Sequence, residues 1–202
     1  MKKVWFVRHG ESMANAGQAT RDHRSIPLTQ QGWSQARAVS ITVPRPELII
    51  VSPYLRARQT AEPLCQRYPD VPVECWDEVH EFVYLSPATC VGTTSSQRRP
   101  RVLAYWKAVD PAYVDGEGAE SYQHLLERIY TTLSRLEERE QQFIVVFSHA
   151  QFMRNLHLVM SQPGLTPREY MALFRKSRTI RNGQFMEIRL PYKKGCRSSE
   201  KA

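Results

Sequence analysis

The run Val4-Trp5-Phe6-Val7 stops abruptly on Arg8-His9-Gly10-Glu11-Ser12, and this transition constrains the fold more than any other stretch. Four β-branched or aromatic residues in succession, with no polar alternation, read as a short strand covered on both faces. Gly10 lets the backbone turn sharply, so Arg8 and His9 project from the strand's carboxyl end, where open α/β sheets hold their ligands. Two later stretches repeat the pattern. Glu47 to Val51 ends on Ser52-Pro53, with Arg56 following, and Phe143 to Phe147 ends on Ser148-His149. Three strands ending alike bring Arg8, His9, Arg56 and His149 to one rim of one sheet. Taken alone, His149 reads as a core histidine satisfied by hydrogen bonds; its place on that rim makes it ligand-facing. His23, His80, His124 and His157 lack that placement and read as structural.

Helical patterns separate the strands. Thr29 caps a helix running to about Thr42, with Trp33, Ala36 and Ile41 toward the core, ended by Pro44 and Pro46. Ser52 and Pro53 suit the N-cap and first position of a helix carrying Ala57, Ala61, Leu64, Cys65 and Tyr68. A further strand is expected over Val71 to Trp76. From Asp77 to Pro100 no helical period is visible, which marks an irregular cap insertion over about 77–115. Tyr122 to Leu136 is an amphipathic helix capped by Ser121. Helices over about Gln151 to Met160 and Pro167 to Lys176, and a last strand over Gln184 to Leu190, complete the pattern. It predicts a three-layer α/β/α sandwich with a mostly parallel central sheet, one domain over 1–191, and a polar, basic, disordered tail over 192–202.

A chain of 202 residues, 42% hydrophobic, suits one sizeable core. Val4 to Val7 is too short for a signal segment and no run approaches a membrane span, so the cytoplasm is the expected location and no membrane partner is expected. The four cysteines are widely spaced without a C-x-x-C pair, which argues against a zinc site and a disulfide scaffold. The net charge of +8 suits an anionic partner. No element interleaves clustered Lys/Arg with aromatics, so nucleic acid is not expected. The oligomeric state is left open.

Arg8-His9-Gly10-Glu11-Ser12, Asn15, PLTQQG at 27–32, SPYLRARQTA at 52–61, GAES at 118–121 and SHAQFMRNL at 148–156 together resemble the histidine phosphatase superfamily, with its phosphoglycerate mutase-like fold. The resemblance runs from about Lys3 to Ile188. It implies phosphoryl transfer through a phosphohistidine on His9, with no cofactor and no metal. Arg8, Arg56 and His149 would hold the phosphate, Asn15 and Ser12 would add contacts, and Glu81 would be the proton donor. Asp77 and Glu78 are close enough in sequence to compete with Glu81. Members often carry aspartate where this chain has Ser25, and glycine where it has Ala150.

These residue types suit the chemistry. A phosphomonoester dianion repels an anionic nucleophile but admits a neutral imidazole, and the charge on its equatorial oxygens needs fixed donors. Arg98, Arg99 and Arg101 in the cap are expected to meet a second anionic group on the substrate. A phosphorylated small molecule is the expected substrate, with a phosphoprotein as the alternative. Hydrolysis is favoured over a mutase reaction, because His80-Glu81-Phe82 does not resemble the mutases' longer insertion. From another class, a silent member binding phospho-ligands or nucleic acid is disfavoured by the retention of both histidines, both arginines and a candidate acid.

Overall fold

The computed structural model describes residues 1–19 and 21–191; the expected disordered tail lies outside the described residues. Five strands form one sheet in the order β3-β2-β4-β1-β5. They are β1 (Lys2–Arg8), β2 (Leu48–Val51), β3 (Val73–Cys75), β4 (Phe143–Ser148) and β5 (Phe185–Leu190). β1, β2, β3 and β4 run parallel, and β5 pairs antiparallel with β1.

The period-2 alternation of the central strands divides the interior into two cores. Phe6, Ile50, Ile144 and Val146 point to one face, onto α4 (Tyr122–Glu137), α5 (Ala150–Ser161) and α6 (Pro167–Phe174). Val7, Ile49, Val51, Val145 and Phe147 point to the other, onto α1 (Gln30–Thr42) and α2 (Leu55–Arg67). The result is a three-layer α/β/α sandwich. Burial on both faces explains why β2 and β4 read as unbroken apolar runs. β1 is covered less completely: Trp5 is half-buried, stacks on Phe185 of β5 at 4.4 Å, and donates from Nε1 to Glu187 at 3.0 Å.

Three local expectations are corrected. Within α1 the buried face is Gly32, Ala36, Val39 and Ser40, whereas Trp33 is half-buried and Ile41 is 76% exposed. Small residues face inward because α1 lies close to α2, where Ser40 Oγ donates to the Pro63 carbonyl at 2.9 Å. The N-cap of α2 is Tyr54 rather than Ser52, since the Ser52 hydroxyl is bonded to His149. The cap insertion is not irregular throughout, because it contains α3 (Ser95–Ala108) with Pro100 inside it. Thr94 and Gln97 close a capping box at its start, and Tyr105 and Trp106 bury against Phe82.

The turn after β1 is pressed against the start of α1. A Cβ on Gly10 would lie 2.5 Å from the Gly32 carbonyl oxygen, and one on Gly32 would lie 2.1 Å from the Glu11 carbonyl oxygen. Neither contact is with a flexible side-chain end, so the backbone would have to move. Gly32→Ala is therefore expected to cost about 1–3 kcal/mol or more, read as a lower urea midpoint, and to cut turnover by displacing the loop beside His9. Unchanged stability and turnover would show that the two glycines are not needed for close approach.

Candidate active site

The strand register sets the site. Arg8 pairs with Ser148, so His9 and His149 follow at one level of the sheet, while the pairing of Val51 with Phe147 puts Ser52 one residue short of them, level with Ser148. His9 N–H donates to the Ser148 carbonyl at 3.1 Å and Ser52 N–H to the Phe147 carbonyl at 3.0 Å, extending the ladders past the strand ends. The rings of His9 and His149 come to lie 5.1 Å apart.

His9 is buried, and its Nδ1 is 2.7 Å from the Gly10 carbonyl oxygen. A carbonyl only accepts, so Nδ1 carries the hydrogen and Nε2 keeps its lone pair. Arg56 Nε donates to that Nε2 at 3.2 Å. Burial pushes the His9 imidazole well below the usual histidine range, reinforced by Arg56 and Arg8 against the Gly10 hydrogen bond. This is a neutral imidazole beside two cations.

Arg8 donates from Nη1 to the Ile180 carbonyl at 2.6 Å, while its buried Nε has no partner among the described residues. Arg56 donates from Nη1 to the His23 carbonyl at 2.7 Å, and its guanidinium lies over the Tyr54 ring at 4.9 Å. Burial lowers the pKa of both arginines, and the Glu81 carboxylate opposes it in each case. His149 Nε2 is 2.8 Å from Ser52 Oγ. That oxygen accepts the Tyr54 N–H at 3.4 Å, and His149 Nδ1 is buried and without a partner among the described residues. Burial, then Arg56 and His9, push His149 well below the usual range. Arg8 Nε and His149 Nδ1 are thus buried nitrogens without a partner among the described residues. Such groups are costly unless an anion meets them.

Glu81 Oε1 accepts from the backbone N–H of Phe82 at 3.0 Å, Gln151 at 3.2 Å and Phe152 at 3.3 Å, docking the carboxylate on the first turn of α5. Oε2 has one long contact, 3.5 Å from Gln151 N. Of the three carboxylates that compete in the sequence, Glu81 lines a cleft of about 320 Å³ that also borders Arg56. Glu78 instead pairs with Arg135 at 2.6 Å, and Asp77 is exposed.

The remaining candidates divide. Asn15 Oδ1 accepts from Ser12 N, Ser12 Oγ and Asn182 Nδ2, at 3.2, 3.1 and 3.1 Å. The Asn15 amide donors stay available, but the hydroxyl hydrogen of buried Ser12 is committed to Asn15, so Ser12 shapes the loop rather than offering a donor. Arg98 lines the cleft, its Nη1 bonded to the Thr93 carbonyl and Oγ1, both at 2.8 Å. The three cap arginines are placed differently: Arg101 is bound to Asp115 at 2.6 Å, and Arg99 is exposed outside the cleft wall.

Sequence reasoning missed the supports. Thr60 accepts the Gly10 N–H at 2.9 Å and donates to the Arg56 carbonyl at 2.6 Å, coupling the turn after β1 to α2. Asn182 Nδ2 donates to the His9 carbonyl at 3.0 Å. Glu120, in the GAES stretch, accepts from Val83 N at 3.2 Å and from Arg128 Nε and Nη2 at 2.9 and 2.6 Å, tying the segment after Glu81 to α4. Burial alone would raise its pKa; hydrogen bonds from His80 and Arg128 outweigh that and hold it at about 2. The position of Glu120 within a motif was its one available signal.

The model of the histidine phosphatase superfamily, branch 1, matches residues 4–176. The adenosylcobalamin/alpha-ribazole phosphatase of Salmonella typhimurium is 25% identical over 149 residues, covering 71% of this chain and 72% of that protein. Among solved structures, the alpha-ribazole phosphatase of Shigella flexneri superposes with a TM-score of 0.74 at 22% identity, covering 94% and 91% of the two chains. A mycobacterial glucosyl-3-phosphoglycerate phosphatase bound to VO3 superposes with a TM-score of 0.73 at 20% identity, covering 93% and 92%. The chain belongs to the histidine phosphatase superfamily and is a phosphatase.

The depressed pKa of His9 and His149 has a signed consequence. The unfolded chain takes up these protons first, so their contribution to stability is complete above about pH 6.5 and is lost as pH falls toward the folded values. Each buried imidazole adds a slope approaching about 1.4 kcal/mol per pH unit below that point. Urea denaturation at pH 7.0 and 5.5 should show the loss, and His149→Gln should reduce it by about half. A pH-independent midpoint would mean that the imidazoles protonate freely in the folded state.

Proposed function

We propose that the protein is a metal-independent phosphomonoester hydrolase acting through a phosphohistidine on His9. The observation that carries this reading is the His9 Nε2 lone pair, fixed by the Nδ1 hydrogen bond to Gly10, with Arg56 Nε 3.2 Å from it and the His149 ring 5.1 Å from the His9 ring. The His9 Nε2 lone pair forms a bond to phosphorus in line with the ester oxygen, and the P–O bond to the leaving group breaks. Glu81, in its acid form, gives its proton to that oxygen. Arg8, Arg56, His149 and Asn15 hold the equatorial oxygens, and their fixed donors fulfil the charge-stabilising role of a cation clamp. A water then gives one proton to the Glu81 carboxylate while its oxygen bonds to phosphorus. The P–N bond breaks, and inorganic phosphate leaves with His9 Nε2 again unprotonated.

A small phosphorylated molecule is the proposed substrate, in keeping with the small phosphorylated substrates named for the relatives. Activity is expected to persist in EDTA, and vanadate, which adopts five-coordinate geometry, to inhibit. The assignment of Glu81 is tested by leaving group. An alkyl phosphate expels a basic alkoxide, so Glu81→Gln should lower kcat/KM for it by about 10²–10⁴. A nitrophenyl phosphate expels a stable anion, and its kcat/KM should change little, because that ratio ends at the first irreversible step. Glu78→Gln should show no such split. The reverse pattern would move the proton donor to Glu78.

A further inference from the structure

We infer that the alcohol released by this phosphatase is uncharged and has a bulky apolar or arylalkyl body. The inference rests on the hydrolase reading above, because it uses Glu81 as the proton donor. Glu81 and Arg56 both border the cleft of about 320 Å³. A group that protonates the leaving oxygen must lie within hydrogen-bond reach of it. The alcohol therefore extends into this cleft, and the cleft walls decide which alcohol is accepted. Its volume falls within the usual range for small-molecule sites, about 300–1,000 Å³.

Polar groups of the cleft include Arg21, Asp22, His23, Arg56 and Arg98, but its wall after Glu81 and in the cap is mainly apolar. Phe82, Tyr84 and Leu85 follow directly on Glu81, and Val91 and Val102 close the opposite side from the cap. Phe82 is held in place by ring contacts with Tyr84, Tyr105 and Trp106 at 5.3–6.2 Å, so α3 backs this wall with a packed aromatic cluster. Val91 is 55% exposed, a large apolar side chain at the cleft with little cover.

The cationic groups argue against a second anion. Arg101 is neutralised by Asp115, Arg99 is outside the wall, and Arg98 is turned toward Thr93. Arg21 is an exposed lining residue, and His23, also in the lining, accepts from Arg56 through its carbonyl. Arg8 Nε and His149 Nδ1 are buried without partners among the described residues, whereas no residue lining the cleft has such an atom, the unpaired Tyr105 hydroxyl lying behind its wall. The site is built for one anion and an apolar remainder.

The test is kcat/KM of the full-length protein on straight-chain alkyl phosphates from propyl to hexyl, on 4-phenylbutyl phosphate, and on 3-phosphoglycerate. The alkyl leaving groups are nearly equal in basicity, so differences among them report the cleft. Each added methylene should raise kcat/KM by about fourfold until the cleft is filled. The arylalkyl ester should exceed 3-phosphoglycerate by at least about tenfold. Val91→Asp should lower the hexyl-to-propyl ratio. A flat alkyl series, or a preference for 3-phosphoglycerate that Arg98→Ala removes, would overturn the inference while leaving the hydrolase reading intact. If no phosphomonoester is turned over, the hydrolase reading fails and this inference fails with it.

Discussion

The hydrogen bond from His9 Nδ1 to the carbonyl of its own neighbour, Gly10, is the interaction on which the rest of the site depends. It fixes one tautomer, so the lone pair lies on Nε2, facing Arg56. The segment that carries this bond lies against the start of α1, and Gly10 and Gly32 leave room for that close approach. Thr60 and Asn182 then hold the two sides of the turn. The His9 tautomer is thereby set by a backbone carbonyl, which cannot swing away as a side-chain partner would.

Burial performs the electrostatic part. His9 and His149 are removed from water beside Arg56, so protonating either is disfavoured and both remain neutral near neutrality. The arginines also lose hydration, a cost that an incoming phosphate dianion offsets. In the proposed reaction the same arrangement keeps the His9 nucleophile free of a proton and favours a dianion. Glu81 is docked by three backbone N–H groups. It reaches that position because Glu120 and Arg128 anchor the segment that follows it.

The sheet and its catalytic rim were legible because β1, β2 and β4 are short apolar runs that stop on polar residues, a pattern with few other physical readings. Side-chain size misled elsewhere. Trp33 and Ile41 suggested the wrong face of α1, since the close approach to α2 selects Gly32, Ala36 and Ser40 instead. The helix α3 was hidden by Pro100, although Val102, Tyr105, Trp106 and Val109 follow a helical period once the proline is passed. Ser12 and Ser52 carried motif signals, but their hydroxyls are consumed by Asn15 and His149, and no local sequence rule gives such partners. The arginines of the cap looked alike in sequence; the distant Asp115 neutralises one, and exposure removes another.

The central claim is that the phosphoryl group rests on His9 between two chemical steps. Rapid acid-free quenching of the wild-type protein with a ³²P-labelled phosphomonoester should trap a covalent phosphoenzyme that survives base and is lost in acid, and peptide mapping should place the label on His9. The label should be absent from His9→Ala. An acid-stable adduct, a label on Ser12 or any other residue, or near wild-type turnover by His9→Ala would contradict the claim.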